Sequence, residues 1–291
     1  MIKKVQAVSR DWCAYVINHN QDPTFCGFVS DSVEKMLSDI NEMDEHYFLY
    51  TLDKQGELIG ITLIERWRED QRWMAEVWGP FGDDLTVRQQ LVNYLVQTEP
   101  AHLSFFGTNL SQYFDESSTI KRSVQVSSHR RLTAEVHQLS QLTENIAQGF
   151  KLQTYQLEVD DPLIPTVKDG CFKLFDNNFT GGQAAFETVL SDFDQSTLIV
   201  CFDGNQIVGF NQYARDADNL FLNYIIVDER HRHQGIARTL IKTMCLQNPG
   251  QKMVHLNWPL KKTAAGKFYK ELNFKVERIL DNVSVEPIEE A

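Results

Sequence analysis

The second part of the sequence repeats the pattern of the first at a nearly constant spacing, and this constrains the fold more than any other feature. Residues 56–61 (Gly-Glu-Leu-Ile-Gly-Ile) align with residues 205–210 (Asn-Gln-Ile-Val-Gly-Phe), which places Gly60 and Gly209 at an offset of 149 positions. Because the order and spacing of elements match while the residues differ, the pattern predicts a duplicated fold. Further segments align at this offset or at 153: Trp73–Trp78 with Leu222–Val227, Leu91 with Leu240, and His102–Phe105 with His255–Trp258.

The second copy has the clearer succession of helices and strands. Asp203-Gly204 between two apolar runs predicts a β-hairpin, and the apolar run 220–227 predicts a central strand covered on both faces. The order β-α-α-β-β-β-α-β-α-β follows from these predicted elements: an edge strand around Tyr155–Val159, helices at 162–175 and 183–193 separated by a Thr180-Gly181-Gly182 turn, hairpin strands at 198–202 and 207–213, a strand at 220–227, a helix at 235–247, a strand at 253–258, a helix at 263–272 and a strand at 274–280.

The boundary between the copies is expected within residues 115–150. The segments 115–119 and 127–131 are polar, and 132–146 has apolar residues at a spacing compatible with a helix. This predicts two domains, residues 1–145 and 146–291.

Composition limits the classes of function. A formal net charge of −12 opposes general nucleic-acid binding, because phosphate backbones require a basic surface. No run approaches the roughly 20 apolar residues that span a bilayer, and the N-terminus lacks the apolar segment of a secretory signal. The five cysteines are scattered without a CxxC pair, which predicts buried free thiols in the cytoplasm.

One basic segment interrupts this acidic chain. Residues 230–242 contain three arginines and one lysine, and no acidic residue. Within it, Arg232, Gly235 and Ala237 lie between an apolar strand and an amphipathic helix. Small residues let a ligand approach the backbone, and the N-terminus of a helix presents N–H groups to an anion. The pattern predicts a phosphate-binding loop, with a plain surface helix as the alternative.

The spacing Arg232-x-x-Gly235-x-Ala237 resembles the diphosphate-binding signature of the GNAT superfamily of acyl-CoA-dependent N-acyltransferases. A second GNAT motif, Asn-x-x-Ala-x-x-Phe-Tyr-x-x-x-Gly-Phe, is similar to residues 262–274. Lys262 stands where Asn is usual and Asn273 where Gly is usual. Asn tolerates left-handed backbone angles and can still end the helix. The matching residues are Ala265, Phe268, Tyr269 and Phe274.

The resemblance implies tandem GNAT folds of the α/β (α+β) class, each a central mixed, mostly antiparallel twisted sheet flanked by helices. It implies acetyl-CoA as co-substrate and a small-molecule or peptide amine as acceptor. The pantetheine arm would lie along the end of a strand, and the phosphates in the loop. The implied cofactor-binding residues are Ile225, Ile226, Val227, Arg232, His233, Gln234, Gly235, Ile236, Ala237, Arg238 and Lys262.

Tyr269 is the candidate catalytic residue, because a phenol can protonate the departing thiolate as the matching Tyr does in the family. The alternative is a core aromatic residue at helical spacing. The general base is left open. Asn257, which cannot accept a proton at neutral pH, occupies the strand position where some family members have Glu. The carboxylates of Glu229, Asp216 and Asp218 are either bases or ordinary solvated side chains, and a water relay is a further alternative.

The first copy lacks the loop signature. Asp83, Thr86 and Arg88 stand where the second copy has Arg232, Gly235 and Ala237. Carboxylates would repel a diphosphate, so the first domain is predicted to be a degenerate copy that does not bind CoA in this manner. His231 and His233 flank Arg232 without a third ligand, and no metal site is expected.

Two other functions stay open at this level. A non-catalytic CoA-binding or regulatory protein would explain the missing base. A transferase that takes an acyl or aminoacyl group from another carrier would share the fold but would not need the loop. The sequence leaves the acceptor and the oligomeric state undetermined, and it indicates no nucleic-acid or membrane partner.

Overall fold

The computed structural model describes residues 2–5, 8–43, 45–52, 57–69, 71–114, 122–143, 146–156, 164–176, 196–216 and 218–287. The chain forms two compact units. Unit 1 contains Met1–Arg130 and Arg278–Ala291, and unit 2 contains Arg131–Glu277. Within the described ranges, no helix is long and apolar enough to cross a membrane.

Over its described residues, unit 1 is a mixed sheet with three helices. Its strands run in the order β1-β2-β3-β4-β5-β12, in which β4 and β5 are parallel and the other neighbours are antiparallel. Its elements are β1 (Ile2–Val5), α1 (Arg10–His19), α2 (Val33–Glu42), β2 (Glu45–Leu52), β3 (Leu58–Glu69), β4 (Arg72–Gly82), α3 (Leu85–Thr98), β5 (His102–Gly107), a 3-10 turn (Leu110–Phe114), part of β6 (Val124–Glu135) and most of β12 (Lys275–Val285).

Unit 2 repeats this plan. Its strands run in the order β6-β11-β10-β9-β8-β7, in which β10 and β11 are parallel and β7 to β10 are antiparallel neighbours. Its further elements are α4 (Val136–Ser140), β7 (Phe150–Gln156), α5 (Ile164–Asp176), β8 (Thr197–Asp203), β9 (Gln206–Asp216), β10 (Asn219–Val227), a 3-10 turn (Glu229–His231), α6 (Ile236–Gln247), β11 (Met253–Pro259) and α7 (Thr263–Glu271).

The duplication predicted from the sequence is confirmed, because the two units share the same helix-to-strand contact at equivalent glycines. A Cβ placed on Gly60 would lie 2.3 Å from Val87 Cγ1, and one placed on Gly209 would lie 3.1 Å from Ile236 Cγ2. Val87 and Ile236 are separated by the same offset as the two glycines. Each glycine therefore lets the first turn of a helix pack against the neighbouring strand.

The first change of unit lies within the expected range 115–150 but not at the predicted break between residues 145 and 146. The change from unit 1 to unit 2 falls between Arg130 and Arg131, inside β6, and the return falls between Glu277 and Arg278, inside β12. The polar residues 127–131 belong to strand β6. Farther along β6, Leu132 and Ala134 are buried while Thr133 between them is only partly buried, as in a strand with one face on a core.

Most predicted elements of unit 2 are confirmed within a few residues. The hairpin forms around Gly204, which has φ +57, and Asn273 ends α7 with φ +62 as expected of a left-handed residue. The predicted helix over residues 132–146 is wrong in its first part, which is strand, and α4 is short. Residues 157–159 of the predicted edge strand, the 180–182 turn and the helix at 183–193 lie outside the described residues.

The unit 2 sheet has two differently covered faces. Helices α6 and α7 pack on one, which we call the α6 face, against Leu220, Leu222, Val254 and Leu256. Helix α5 packs on the opposite face, the α5 face, against Phe210 and Ile226. All five cysteines are buried and free, and burial raises their pKa values.

Candidate functional site

Strands β10 and β11 separate before either strand ends. Their ladder pairs Asn219–Phe221 with Met253–His255, and β10 continues to Val227 along β9 alone. The β9–β10 register shifts between Leu222 and Tyr224, which marks a β-bulge. The separation leaves a gap between Leu222–Val227 and Leu256–Pro259, which we call the cleft. Backbone groups of β10 on that side can bind an extended ligand as an added strand.

The loop after β10 leads directly into the N-terminus of α6. Gly235 is the N-cap residue with φ +82, a left-handed conformation that favours glycine, and it has no side chain with which to cap the helix. The N–H groups of the first turn of a helix have no partners inside the helix. The loop therefore presents donors and the positive end of the helix dipole, which is what an anion requires.

Two cations from separate elements face this loop. Lys262 is the N-cap residue of α7, and its pKa is lowered by burial and by the nearby positive charge of Arg232. Arg232 Nη1 lies 3.6 Å from Glu229 Oε1, a carboxylate that is largely exposed. Two cations held close together repel each other, and a bound anion relieves that repulsion. Phosphate is therefore a better match here than a neutral ligand.

Gly266 shows why α7 lies so close to the cleft. A Cβ at this position would lie 2.1 Å from Trp258 Cζ2, because the helix packs directly on the end of β11. Trp258 Nε1 also donates to the Lys262 carbonyl oxygen at 2.8 Å. The start of α7, and with it Lys262, is thus fixed against β11.

Tyr269 lies in the core cluster on the α6 face together with Leu222 and Leu256. Its ring centre is 5.5 Å from those of Phe268 and Phe274. Burial raises the pKa of the phenol, so it is protonated at neutral pH. This environment fits both a core aromatic residue and a proton donor, and the catalytic role stays a prediction.

The remaining predicted binding residues follow one continuous path. Ile225 and Val227 pack against the α6-face core, Ile226 is buried on the other face, and the backbone between them borders the cleft. Ile236 is buried, so only its backbone can meet a ligand. His233 has φ +62. Gln234, Ala237 and Arg238 are partly buried in the same loop and first turn.

The carboxylates considered as bases from the sequence do not gather at the cleft. Glu229 is 87 % exposed, and Asp218 is paired with Lys252. The side chain of Asp216 lies outside the described part of the chain. Asn257 borders the cleft, and its Oδ1 is buried with no hydrogen-bond partner among the described residues. His231 is held by Asp228 and Asp203 at 3.4 and 3.5 Å.

The structure adds a group of side chains that sequence reasoning missed. His255 lies where β10 and β11 separate, and its Nδ1 is 3.2 Å from Glu277 Oε2. The alternation of His255 and Asn257 with the apolar Val254 and Leu256 is visible in the sequence and predicts which face they share. The contact with Glu277 requires the pairing of distant strands, which a single sequence does not reveal.

The corresponding loop of unit 1 is closed by its own side chains. Asp84 is the N-cap residue of α3, and its Oδ1 accepts a hydrogen bond from the Val87 N–H at 2.8 Å. The Tyr15 hydroxyl donates to Asp83 Oδ1 at 2.7 Å, and His19 Nε2 lies 3.4 Å from that oxygen. Asp83 therefore stands at the position of Arg232, and the helix that begins with an uncapped glycine in unit 2 is capped by a carboxylate in unit 1.

The gap beside β5 is also filled in unit 1. The Gly27 N–H donates to the Phe106 carbonyl oxygen at 2.7 Å, and the Thr108 N–H donates to the Phe25 carbonyl oxygen at 2.9 Å. The thiol of Cys26 lies 3.9 Å from the Val77 carbonyl oxygen on β4. The segment Phe25–Gly27 thus occupies the place between β4 and β5 that corresponds to the cleft.

A family comparison agrees with this geometry. Residues 194–276 match the model of an acetyltransferase (GNAT) domain. This part of the chain is a GNAT domain. The matched residues include the loop, the cleft and Tyr269. No curated protein sequence matches the chain significantly.

Solved structures extend the GNAT fold to both units. A tandem GNAT protein from the clavulanic acid biosynthesis pathway has a TM-score of 0.68 at 10 % identity, with 100 % of each chain covered. A GCN5-related N-acetyltransferase from Sphaerobacter thermophilus has a TM-score of 0.66 at 15 % identity, covering 99 % of this chain and 96 % of that one. Identities this low establish the tandem GNAT fold and nothing about substrates.

Proposed function

We propose that this protein is an acyl-CoA-dependent N-acyltransferase that transfers the acetyl group of acetyl-CoA to a primary amine. One co-substrate site per chain lies in unit 2. The observation that carries the proposal is the combination of the uncapped α6 N-terminus with the cleft that begins beside it. A diphosphate and an extended arm are the two parts of CoA that such a site accepts.

The loop holds the phosphates in this proposal. Backbone N–H groups from His233 to Arg238 donate to phosphate oxygens, while Arg232 and Lys262 supply positive charge. Lys262 replaces the Asn that is usual in GNAT motifs, and its proximity to Arg232 suits a charged partner. The arm then lies along the backbone of residues 225–227, as an added strand.

The acceptor amine attacks the thioester directly in a ternary complex. Holding both reactants in one cleft converts a bimolecular encounter into a local reaction, which supplies much of the acceleration. Tyr269 gives its phenolic proton to the departing sulfur, and its raised pKa keeps that proton in place until the thiolate forms. We expect this activity in the cytoplasm, where acetyl-CoA and reduced thiols coexist.

The proposal is tested by incubating the protein with acetyl-CoA and a panel of primary amines. Release of free CoA thiol and a mass increase of one acetyl group on an amine would support it. Gly235→Val should abolish both, because a β-branched residue is strained at this positive φ and obstructs the loop. Gly250→Val is the matched control, since no atom lies within 4 Å of a Cβ at that exposed glycine.

The same experiment separates the competing functions. Binding of acetyl-CoA without thiol release from any amine would favour a non-catalytic CoA-binding protein. Failure to bind acetyl-CoA at all would contradict the loop assignment and favour a different acyl carrier.

A further inference from the structure

The α5 face of unit 2 carries three interacting polar side chains from three strands, which we call the His255 cluster: His255 of β11, Glu277 of β12 and Arg131 of β6. His255 Nδ1 lies 3.2 Å from Glu277 Oε2, and Arg131 Nε lies 3.7 Å from the same oxygen. The Arg131 guanidinium carbon is 5.4 Å from the centre of the Phe221 ring on β10. One imidazole is therefore held against one carboxylate at a defined place.

The cluster lies at the inner end of the cleft. His255 is the last residue of β11 that pairs with β10, and beyond it the two strands separate. Its neighbours Val254 and Leu256 are buried in the α6-face core, so His255 points to the opposite face. The side chains of His255 and Glu277 are 18 % and 32 % exposed, which leaves a path for an acceptor or a proton.

Unsatisfied polar atoms surround this point. Asn223 Nδ2 at the bulge and Asn257 Oδ1 across the cleft are both buried, and neither has a hydrogen-bond partner in the described part of the chain. Thr133 Oγ1, two residues after Arg131 on the same face of β6, is likewise buried without a hydrogen-bond partner among the described residues. Buried polar groups are nearly always bonded, so these atoms are available to a polar ligand or to water at this end of the cleft.

The direction of the cleft brings the thioester toward the cluster. Phosphates in the 232–238 loop and an arm beside residues 225–227 extend back along β10 toward the bulge at Asn223. Four residues of strand span about 13 Å at roughly 3.3 Å per residue. Tyr269 lies in the core on the α6 face of the sheet, and His255 lies on the α5 face.

We propose that His255 is the general base of the acyl transfer and that Glu277 is its positioning residue. This inference rests on the proposed function and assigns the role that the sequence left open. Glu277 accepts the proton of Nδ1, which fixes the tautomer and makes Nε2 the basic nitrogen. Arg131 Nε lies 3.7 Å from the same carboxylate oxygen and helps to hold the carboxylate in place.

The step balances in atoms and charge. The amine nitrogen forms a bond to the thioester carbonyl carbon and gives a proton to His255 Nε2. The carbon–sulfur bond then breaks, and the sulfur takes the phenolic proton of Tyr269. His255 releases its proton to solvent, Tyr269 is reprotonated from solvent, and the products are an amide and free CoA.

Unit 1 provides an internal control. His102 aligns with His255 at the offset of 153, and its Nδ1 lies 3.6 Å from Glu286 Oε2. Its Nε2, however, lies 2.8 Å from the Ser284 hydroxyl oxygen, and the neighbouring gap is filled by Phe25–Gly27. The same residue type is therefore present in unit 1 without an open cleft beside it.

The test measures thiol release from acetyl-CoA by His255→Ala, with water alone and with a panel of primary amines as acceptors. Release should fall about a hundredfold or more while acetyl-CoA affinity is unchanged, since a general base contributes about 10² to 10⁴. Added imidazole should restore part of the rate to His255→Ala and none to Glu277→Gln, which keeps the native imidazole. His102→Ala should match the wild type, and His255→Asn, which can still bond to Glu277, should lose activity if His255→Ala does not fold.

The outcomes distinguish this inference from the proposed function. Wild-type thiol release that persists unchanged in His255→Ala overturns the role of His255 and leaves the proposed function standing. Lost activity with lost acetyl-CoA affinity, or without imidazole rescue, indicates a structural role and also overturns it. Absence of thiol release from the wild-type protein overturns both.

Discussion

Helices α3 and α6 begin at corresponding places in the two units, yet their first turns are satisfied in different ways. Asp84 caps α3 with its own carboxylate, whereas α6 begins at Gly235, which has no capping side chain. The charges beside them differ in the same sense, with Asp83 in unit 1 and Arg232 in unit 2. In unit 1 the carboxylate of Asp84 already bonds to an N–H group of the first helical turn. In unit 2 the N–H groups and the charge of Arg232 are available to a bound anion.

The two units also differ in the gap beside their pair of parallel strands, β4 and β5 in unit 1 and β10 and β11 in unit 2. Phe25–Gly27 fills it in unit 1 with backbone hydrogen bonds, while in unit 2 the ladder between β10 and β11 simply ends. The packing of Gly60 on Val87 and of Gly209 on Ile236 is nevertheless retained in both. A duplicated fold can thus keep its core and replace its ligand site with its own groups.

The largest expected effect is a loss of turnover in unit 2 without a loss of acetyl-CoA affinity. Tyr269→Phe should lower turnover about 10²-fold to 10⁴-fold with little change in acetyl-CoA affinity, because only the proton donor is lost. Tyr113→Phe, in the 3-10 turn of unit 1, is the matched control and should leave turnover unchanged. Steady-state kinetics with a responsive amine measure both. Equal turnover in wild type and Tyr269→Phe would remove this residue from the mechanism.

A second substitution gives the unit 2 loop the charge of unit 1. Arg232→Asp should weaken acetyl-CoA binding about tenfold to a hundredfold, since a hydrogen bond to a charged group contributes about 1.5–3 kcal/mol. Lys275→Asp changes the net charge equally at an exposed position on β12 and should have no effect. Calorimetric titration reports the affinities. Unimpaired binding by Arg232→Asp would contradict the role of the loop.

A third substitution removes the internal cap of unit 1. Asp84→Ala should lower the free energy of unfolding by about 0.5–2 kcal/mol, the usual cost of losing an N-cap, without altering acetyl-CoA affinity. Urea unfolding monitored by circular dichroism measures the change. An unchanged free energy of unfolding would show that the Asp84–Val87 hydrogen bond does not stabilise α3.

The smallest expected effect is an unchanged number of acetyl-CoA sites after a charge reversal in unit 1. Asp83→Arg gives unit 1 the cationic residue of unit 2, but it should create no second acetyl-CoA site, because Phe25–Gly27 still fills the gap. The number of sites per chain should stay at one in a calorimetric titration. A second site in this variant would show that charge alone had silenced unit 1.

The sequence predicted the parts of this account that depend on local patterns. The repeat, the Asp203-Gly204 hairpin, the loop before α6 and the left-handed Asn273 all follow from turn residues and periodicity. Local patterns placed the break between the units less exactly, at residues 145 and 146 instead of between Arg130 and Arg131 on β6. Residues 127–131 lie on a strand, and a single sequence does not show which strand they join.

The long-range contacts could not be predicted from the sequence, because a single sequence does not show which distant strands are neighbours. His255 was visible only as one residue of a repeated segment, and Glu277 and Arg131 reach it from β12 and β6. The filling of unit 1 by Phe25–Gly27 also depends on pairing across more than 70 positions of chain. Charge reasoning at Asp83 predicted that unit 1 is degenerate, and the structure supplies a second reason for that prediction.

The central claim is that the fold occurs twice and the co-substrate site once. Isothermal titration of the wild-type protein with acetyl-CoA tests it most directly, together with Gly235→Val and its unit 1 counterpart Thr86→Val. We predict one site per chain in the wild type, none in Gly235→Val and one in Thr86→Val. Two sites in the wild type, or a site that survives in Gly235→Val, would contradict the account.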